Sequence, residues 1–345
     1  MFLIKEMPKF DRNVLQVEDE ISAINMLIGA SFVGKKVMTA TSGPGISLMN
    51  EGIGLAVMAE LPCVIVNVQR GGPSTGAPTK TEQSDLLQAL YGTHGDAPKV
   101  VLAPTGIADC FSMTIDAFNI AEKYQTPVII LSDQFMGQHK ECMNAFDLSR
   151  VKLETRIMPT PEELREPDTF RRFEITDNGV SKITSPGMKN GQYLACGLTH
   201  NESGTPTSKH LLHEQLNEKR YRKFEKIREE YDLLERYGPE HAELGMLAWG
   251  SARGVVQEAV QRANENGSSV SAFIPKMLYP LPIDTLKDYC RSLQQLLVVE
   301  LSYGCQFYHY LRSQLDLPQH TTLYKRSGCM PFTVKEIYRK IQELQ

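Results

Sequence analysis

The feature that most constrains this chain is a rhythm. Between residues 14 and 133, short runs rich in β-branched residues alternate with longer stretches of helical spacing. The strand candidates are Val14–Val17, Val37–Thr41, Val64–Gln69, Val100–Ala103 and Val128–Ser132. Segments such as Glu20–Phe32, Gly45–Glu60 and Ile107–Tyr124 lie between them, with apolar residues such as Leu48, Ile53, Leu55 and Met58 recurring at helical intervals. Strand–helix–strand alternation predicts a mostly parallel sheet with helices on its faces. The strands are almost continuously apolar, which suits a sheet covered on both sides.

After Asp133 the rhythm stops. Pro159, Pro161, Pro167, Pro186 and Pro206 punctuate a polar stretch that ends in Glu214–Arg236, where 14 of 23 residues are charged and Phe224, Ile227, Tyr231 and Leu234 recur every three or four positions. This predicts a connecting segment closing in an amphipathic helix whose charged side is a solvated face. A second rhythm follows. Its strand candidates are Leu244–Trp249, Val270–Ile274, Leu296–Glu300 and Thr322–Lys325, and its helices fit Gly254–Ala263, Ile283–Cys290, Gln306–Leu315 and Val334–Leu344. A chain of 345 residues suits two domains. The expected division is 1–150, a connector over 151–238, and 239–345.

Charge and composition exclude several classes. With 37 basic and 41 acidic residues the net charge is −4, which argues against a nucleic-acid partner. No apolar run approaches the ~20 residues that span a bilayer, and the opening MFLIKEMPKF mixes acid and base too early for a secretory signal. The seven cysteines are widely spaced and contain no C-x-x-C. That predicts free thiols in a reducing cytoplasm and no metal site on this chain.

Three motifs stand out. Val14–Val17 runs into Glu18-Asp19-Glu20 at a helix start, where acids complement the helix dipole; that alone explains them well and leaves a functional role as the lesser reading. Thr39-Ala-Thr-Ser-Gly-Pro-Gly45 opens the next helix; glycines there let backbone N–H groups face an anion or another chain, but a tight strand-to-helix turn with Pro44 early in the helix explains them equally. The third is Val68-Gln-Arg-Gly-Gly-Pro-Ser-Thr-Gly-Ala-Pro-Thr-Lys-Thr-Glu82. It follows the carboxyl end of the third strand candidate, where open α/β sheets bind ligands. Arg70, ahead of Gly-Gly, can clamp a carboxylate through two parallel hydrogen bonds.

Taken together these motifs are recognisable. A strand, a glutamate and a helix, followed by ATSGPG, GIGLA and PCVIVNVQ, resemble the pyrimidine-binding domain of thiamine-diphosphate enzymes. VEDEISAIN, TATSGPGISLMNE, VQRGGPSTGAPTKTEQSD, GTHGDAPK and AEKYQTPVIILSDQ are similar, more narrowly, to the alpha subunit of 2-oxoacid:ferredoxin oxidoreductases, the 2-oxoglutarate branch above all. YGPEHAELGMLAWGSARG and PFTVKEI resemble that family's transketolase C-terminal-like domain, so the resemblance runs over essentially the whole chain.

The resemblance implies a fold and a division of labour. The fold is α/β: a pyrimidine-binding domain followed by a smaller transketolase C-terminal-like domain. The implied reaction converts 2-oxoglutarate, or a related 2-oxoacid, and coenzyme A to acyl-CoA and CO2, with electrons passing to ferredoxin. The alternatives are another thiamine reaction without electron transfer, or a non-catalytic scaffold subunit. Glu20 falls where the family glutamate hydrogen-bonds N1′ of the aminopyrimidine, a role that asks for an apolar site and a raised pKa. Proton sharing there favours the imino tautomer, whose nitrogen deprotonates thiazolium C2. Arg70 matches a substrate-contacting arginine; Thr79, Lys80 and His94 are weaker substrate candidates. The pyrophosphate motif is absent, because Gly95-Asp96 continues into Ala97-Pro98. Thiamine diphosphate is therefore expected to be shared with a beta subunit that holds Mg2+ and a [4Fe-4S] cluster, with a gamma subunit left open. Nothing in Met1–Arg12 matches the family's opening strand and Tyr-Pro-Ile-Thr-Pro loop, which predicts an unpaired strand edge.

Overall fold

A computed structural model describes residues 2–345. In chain order its helices are α1 (Phe2–Glu6), α2 (Glu20–Phe32), α3 (Gly43–Met58), α4 (Leu86–Tyr91), α5 (Ile107–Tyr124), α6 (Gln134–Gln138), α7 (His210–Glu230), α8 (Arg253–Glu265), α9 (Ile283–Ser292), α10 (Gln306–Gln314) and α11 (Val334–Leu344). The strands are β1 (Met38–Thr41), β2 (Cys63–Gln69), β3 (Val100–Leu102), β4 (Pro127–Asp133), β5 (Leu234–Tyr237), β6 (Leu244–Leu247), β7 (Val270–Pro275), β8 (Met277–Tyr279), β9 (Gln295–Glu300) and β10 (His320–Lys325).

They form two five-stranded sheets, ordered β1-β2-β4-β3-β8 and β10-β9-β6-β7-β5. Every pairing is parallel except at one edge of each sheet, where β8 joins β3 and β5 joins β7 antiparallel. The α/β, parallel-rich architecture is the one the alternating pattern predicts. β8 was not anticipated, and it is structurally informative: the chain leaves β7 in the second sheet and, one residue later, enters the first. A single extended stretch thus stitches the two sheets together.

Local sequence explains where the helices start. Asp19 caps α2 by accepting from the Ser22 amide at 2.7 Å, and Pro44 sits in the first turn of α3. Thr333 and Glu336 close a reciprocal capping box on α11. Apolar side chains then fill three buried clusters. One joins α2, α3 and β2 to Trp249, Phe307 and Tyr310 of the second sheet's layer; one lies against α8 and α11; one packs α5 and α7 on the first sheet's other face.

Two expectations are corrected. Val14–Val17 is not a strand: the segment runs irregularly up to Asp19. β-branched residues become a strand only where a partner supplies a ladder, and these have none. The edge strand β1 pairs with β2 alone. Second, the charged run is not simply a solvated face. Lys219, Arg220 and Lys223 of α7 are buried alongside Phe224 and Ile227, because Glu60, at the end of the α3 turn, is buried opposite them. Lys219 reaches one carboxylate oxygen at 2.7 Å and Lys223 the other at 2.5 Å. The end of the same run, moreover, is the edge strand β5 rather than helix. Among the described residues, no helix is long and apolar enough to cross a membrane.

Candidate active site

The first turn of α3 is the centre of the candidate site. Gly43 and Gly45 are buried there. A Cβ on Gly45 would lie 1.9 Å from Thr41 Oγ1 and 2.8 Å from Glu20 Oε1, and one on Gly43 would lie 2.8 Å from Asp85 Oδ2. The Ser42-Gly-Pro-Gly45 turn is therefore glycine-bearing because a carboxylate closes on it from each side. Glu20, in the first turn of α2, is half-buried, and its carboxylate has no hydrogen-bond or ion-pair partner among the described residues.

On the Asp85 side a crevice of about 640 Å³ opens. One wall is Arg70–Ser74, which follows β2 at its carboxyl end; the other is Ser302, Tyr303, Gly304 and Gln306, which follow β9 at its carboxyl end. Gly43 and Asp85 form the floor. Ligands in parallel α/β sheets collect at this end of the strands, and here the ends of both sheets contribute. Arg70 is half-buried; its Nε is buried without a hydrogen-bond partner, and the guanidinium makes no ion pair among the described residues. An unpaired buried donor is costly in a finished interior, and this guanidinium lines the crevice with donor capacity to spare.

Asp85 accepts a hydrogen bond from Asn67 Nδ2 at 3.0 Å, and its amide donates to Gln69 Oε1 at 3.2 Å. Burial pushes its carboxyl above the ordinary value, and the Asn67 hydrogen bond opposes this. The arginine loop folds back on itself: Gly71 donates to the Lys80 carbonyl at 3.1 Å, and Ala77 donates to the Gly71 carbonyl at 2.8 Å. This puts Thr79 and Lys80 on the exposed outer end of the loop, away from the crevice lining, and His94 is exposed on a separate loop. The structure thus brings Glu20 and Arg70 to opposite sides of one helix turn, and brings none of Thr79, Lys80 and His94 there. A second cavity of about 290 Å³ lies where the chain passes Leu301, lined by Phe135, His139, Arg253 and Phe332 among others.

Residues 2–219 match the family described as pyruvate flavodoxin/ferredoxin oxidoreductase, thiamine-diphosphate binding, and residues 242–337 match the pyruvate:ferredoxin oxidoreductase core domain II. The chain belongs to this oxidoreductase family. It is 36% identical over 320 residues to a subunit of 2-oxoglutarate synthase, KorA, from Methanothermobacter thermautotrophicus, covering 91% of this chain and 82% of that one. It superposes with a TM-score of 0.95 and 38% identity on the 2-oxoglutarate:ferredoxin oxidoreductase from Magnetococcus marinus, a structure with 2-oxoglutarate, coenzyme A and succinyl-CoA bound. The match covers 99% of this chain but only 59% of that one. A split-gene transketolase, described as an inactive beta4 tetramer, is similar in fold alone, at 12% identity and a TM-score of 0.54 over 99% of this chain and 87% of its own.

Within this oxidoreductase fold, sequence reasoning missed the residues that join the crevice walls. Gln83 is buried and donates its amide to the Leu301 carbonyl at 2.8 Å and its Nε2 to the Trp249 carbonyl at 2.7 Å, while its Oε1 accepts from the Leu301 amide at 3.0 Å. Gln306 replies from the other side, bonding the Ser84 carbonyl at 2.6 Å and the Leu87 amide at 3.0 Å. Glu82 accepts from the Gly328 amide at 3.0 Å. The sequence offered one hint, the unbroken polar run Thr79–Asp85 just after a glycine-rich loop.

Proposed function

We propose that this chain is the alpha subunit of a 2-oxoglutarate:ferredoxin oxidoreductase, supplying the pyrimidine half of a thiamine-diphosphate site and the arginine that receives the 2-oxoacid. A beta subunit carrying the pyrophosphate motif, Mg2+ and a [4Fe-4S] cluster completes the enzyme, with coenzyme A as acyl acceptor and ferredoxin as electron acceptor. The seven cysteines, all free, fit a cytoplasmic location. The observation that carries the reading is the unpartnered pair around the α3 turn: a carboxylate seated against Gly45 and a guanidinium open to the crevice beside Gly43.

The residues present suit the cofactor. The space that a side chain at position 45 would fill is kept clear beside the Glu20 carboxylate, and that carboxylate is free to hold a proton at N1′ of an aminopyrimidine. When bound, thiamine diphosphate supplies the carbon nucleophile and the electron sink for decarboxylation. Glu20 orients the ring and holds the shared proton. Arg70 binds a substrate carboxylate through charge-assisted bonds. The wall at Ser302–Gln306 bounds the crevice opposite Arg70.

The test is Glu20→Gln in the assembled complex. An amide can bond N1′ but cannot share a proton with it. Assembly is expected to persist, and 2-oxoglutarate-dependent reduction of ferredoxin to fall by ~10²–10⁴-fold. In calorimetry the isolated chain is expected to bind thiamine diphosphate weakly. A variant within about threefold of the parent, or tight binding by the lone chain, would overturn the assignment.

A further inference from the structure

The crevice wall formed by Ser302–Gln306 hangs from a buried acid that the proposed chemistry does not use. Glu300 ends β9 and is 1% exposed. Its side chain turns back over the loop that follows: Oε2 accepts from the Phe307 amide at 3.0 Å and Oε1 from the Tyr308 amide at 3.2 Å. These are early amides of α10, donors that a helix start leaves without partners. Cys305, just before the helix, is held at φ 51°, so the loop closes tightly between the acid and the helix it caps. Every residue of the wall lies between those two anchor points.

The wall is also tied to the opposite side. Leu301 is bonded by Gln83, and Gln306 bonds Ser84 and Leu87. On the wall's own side, Lys325 on β10 donates to the Tyr303 carbonyl at 2.8 Å and stands 4.5 Å over its ring. If the Glu300 anchor is released, the wall keeps its contacts with the arginine side and the Lys325 bond to the second sheet, but loses the two bonds that fix it to the end of β9.

Resting on the 2-oxoacid reading, we infer that Glu300 is a positioning residue: its carboxylate, ionised, holds the Ser302–Gln306 wall at the distance from Arg70 that substrate binding requires. Both oxygens serve as full acceptors only while the group is ionised; a protonated carboxyl keeps one good acceptor and turns a hydroxyl toward the other amide. Burial raises the Glu300 carboxyl to about 7, against the two amide bonds and the charge of Lys325. The Cys305 thiol at the loop's end feels the same acid. Arg326, whose amide donates to the Glu300 carbonyl at 3.2 Å, turns its guanidinium away to Glu336.

The experiment compares parent, Glu300→Gln and Glu300→Asp in the complex between pH 6 and 8.5. Hydrogen exchange at the Phe307 and Tyr308 amides, corrected for intrinsic rates, reports the anchor without any turnover. In the parent, protection is expected to rise as pH climbs through about 7. In Glu300→Gln it should be flat and roughly 10-fold lower at pH 8, the scale of one weakened charge-assisted bond. Glu300→Asp, shorter but ionisable, should keep a pH dependence. In turnover, Glu300→Gln should raise KM for 2-oxoglutarate roughly 10-fold at pH 8 with kcat within about threefold, and lose the acid-side limb of kcat/KM. A pH-independent parent overturns the inference even if the glutamine variant fails to fold. So does a glutamine variant with parental protection and a parental pH profile. The expected exchange pattern in a complex that turns over no 2-oxoacid would uphold the Glu300 anchor and overturn the substrate reading instead.

Discussion

Removing the charge of Glu60 should destabilise this protein more than any single change in the site itself. Glu60 is held at φ 51° just after α3 and is 1% exposed. It faces Lys219 at 2.7 Å and Lys223 at 2.5 Å, both ammonium groups essentially without solvent. Arg172, also buried, donates to the Glu60 carbonyl at 2.8 Å. The two lysines hold the Glu60 carboxyl well below the usual range despite its burial, and burial pushes Lys223 down to about 8. In Glu60→Gln the lysines would keep one amide acceptor between them and face no anion. Breaking a buried ion pair by removing one partner typically costs ~3–5 kcal/mol, which at roughly 1.4 °C per kcal/mol for a chain of 345 residues lowers Tm by about 5 °C. The pH dependence carries a sign. Lysine titrates near ~10.4 when unfolded, and Lys223 near about 8 when folded, so between these values the unfolded chain binds more protons and stability rises with pH. Without Glu60 the lysine values drop further, and the rise should begin below the parent's. Denaturant unfolding of the full chain at several pH values measures both effects. Adding Lys219→Met to Glu60→Gln should recover part of the loss, because one stranded cation is gone. A Glu60→Gln variant within about 0.5 kcal/mol of the parent, a change no larger than a neutral surface substitution, would refute the reasoning.

Two further outcomes bear on the site. Arg70→Ala should lower kcat/KM for 2-oxoglutarate by roughly 10- to 100-fold, since each charge-assisted bond is worth ~1.5–3 kcal/mol. Lysine should restore only part, and a penalty much smaller for pyruvate than for 2-oxoglutarate would assign Arg70 to the distal carboxylate; equal values for parent and alanine variant across several 2-oxoacids would remove it from the site. Gly45→Ala puts a methyl group where Thr41 Oγ1 and Glu20 now lie, at 1.9 and 2.8 Å. It should displace Glu20 and weaken thiamine-diphosphate binding by the complex at least ~10-fold while the fold persists; unchanged affinity in calorimetry would show that the seat beside Gly45 is not the cofactor's.

How much of this was legible in the sequence depends on how far apart the interacting residues lie. Glu20–Phe32, Ile107–Tyr124 and Val334–Leu344 are helices with the very bounds their periodicity predicts, because spacing along one helix is local information. The Glu20–Gly45 contact and the open guanidinium of Arg70 could be suspected from motifs, since Glu20 opens a helix, Gly45 sits at a strand-to-helix turn and Arg70 follows the carboxyl end of a strand. The links between the walls could not: Gln83 and Leu301 are separated by 218 positions, and nothing in a polar run after a glycine loop names its partner. The charged run is the most instructive case. Leu216, Lys219, Arg220, Lys223, Phe224 and Ile227 are the buried residues of α7, and their spacing of three, one, three, one and three is that of an inward helical stripe. The pattern was present, but three of its members are cations, and cations are assigned to solvent unless an acid awaits them. That acid is Glu60, a lone charge inside the apolar stretch Val57–Val66. An isolated carboxylate in one apolar segment and a stripe of cations in another are each anomalous alone; each removes the other's desolvation problem, and only when the two segments pack together do they read as one feature.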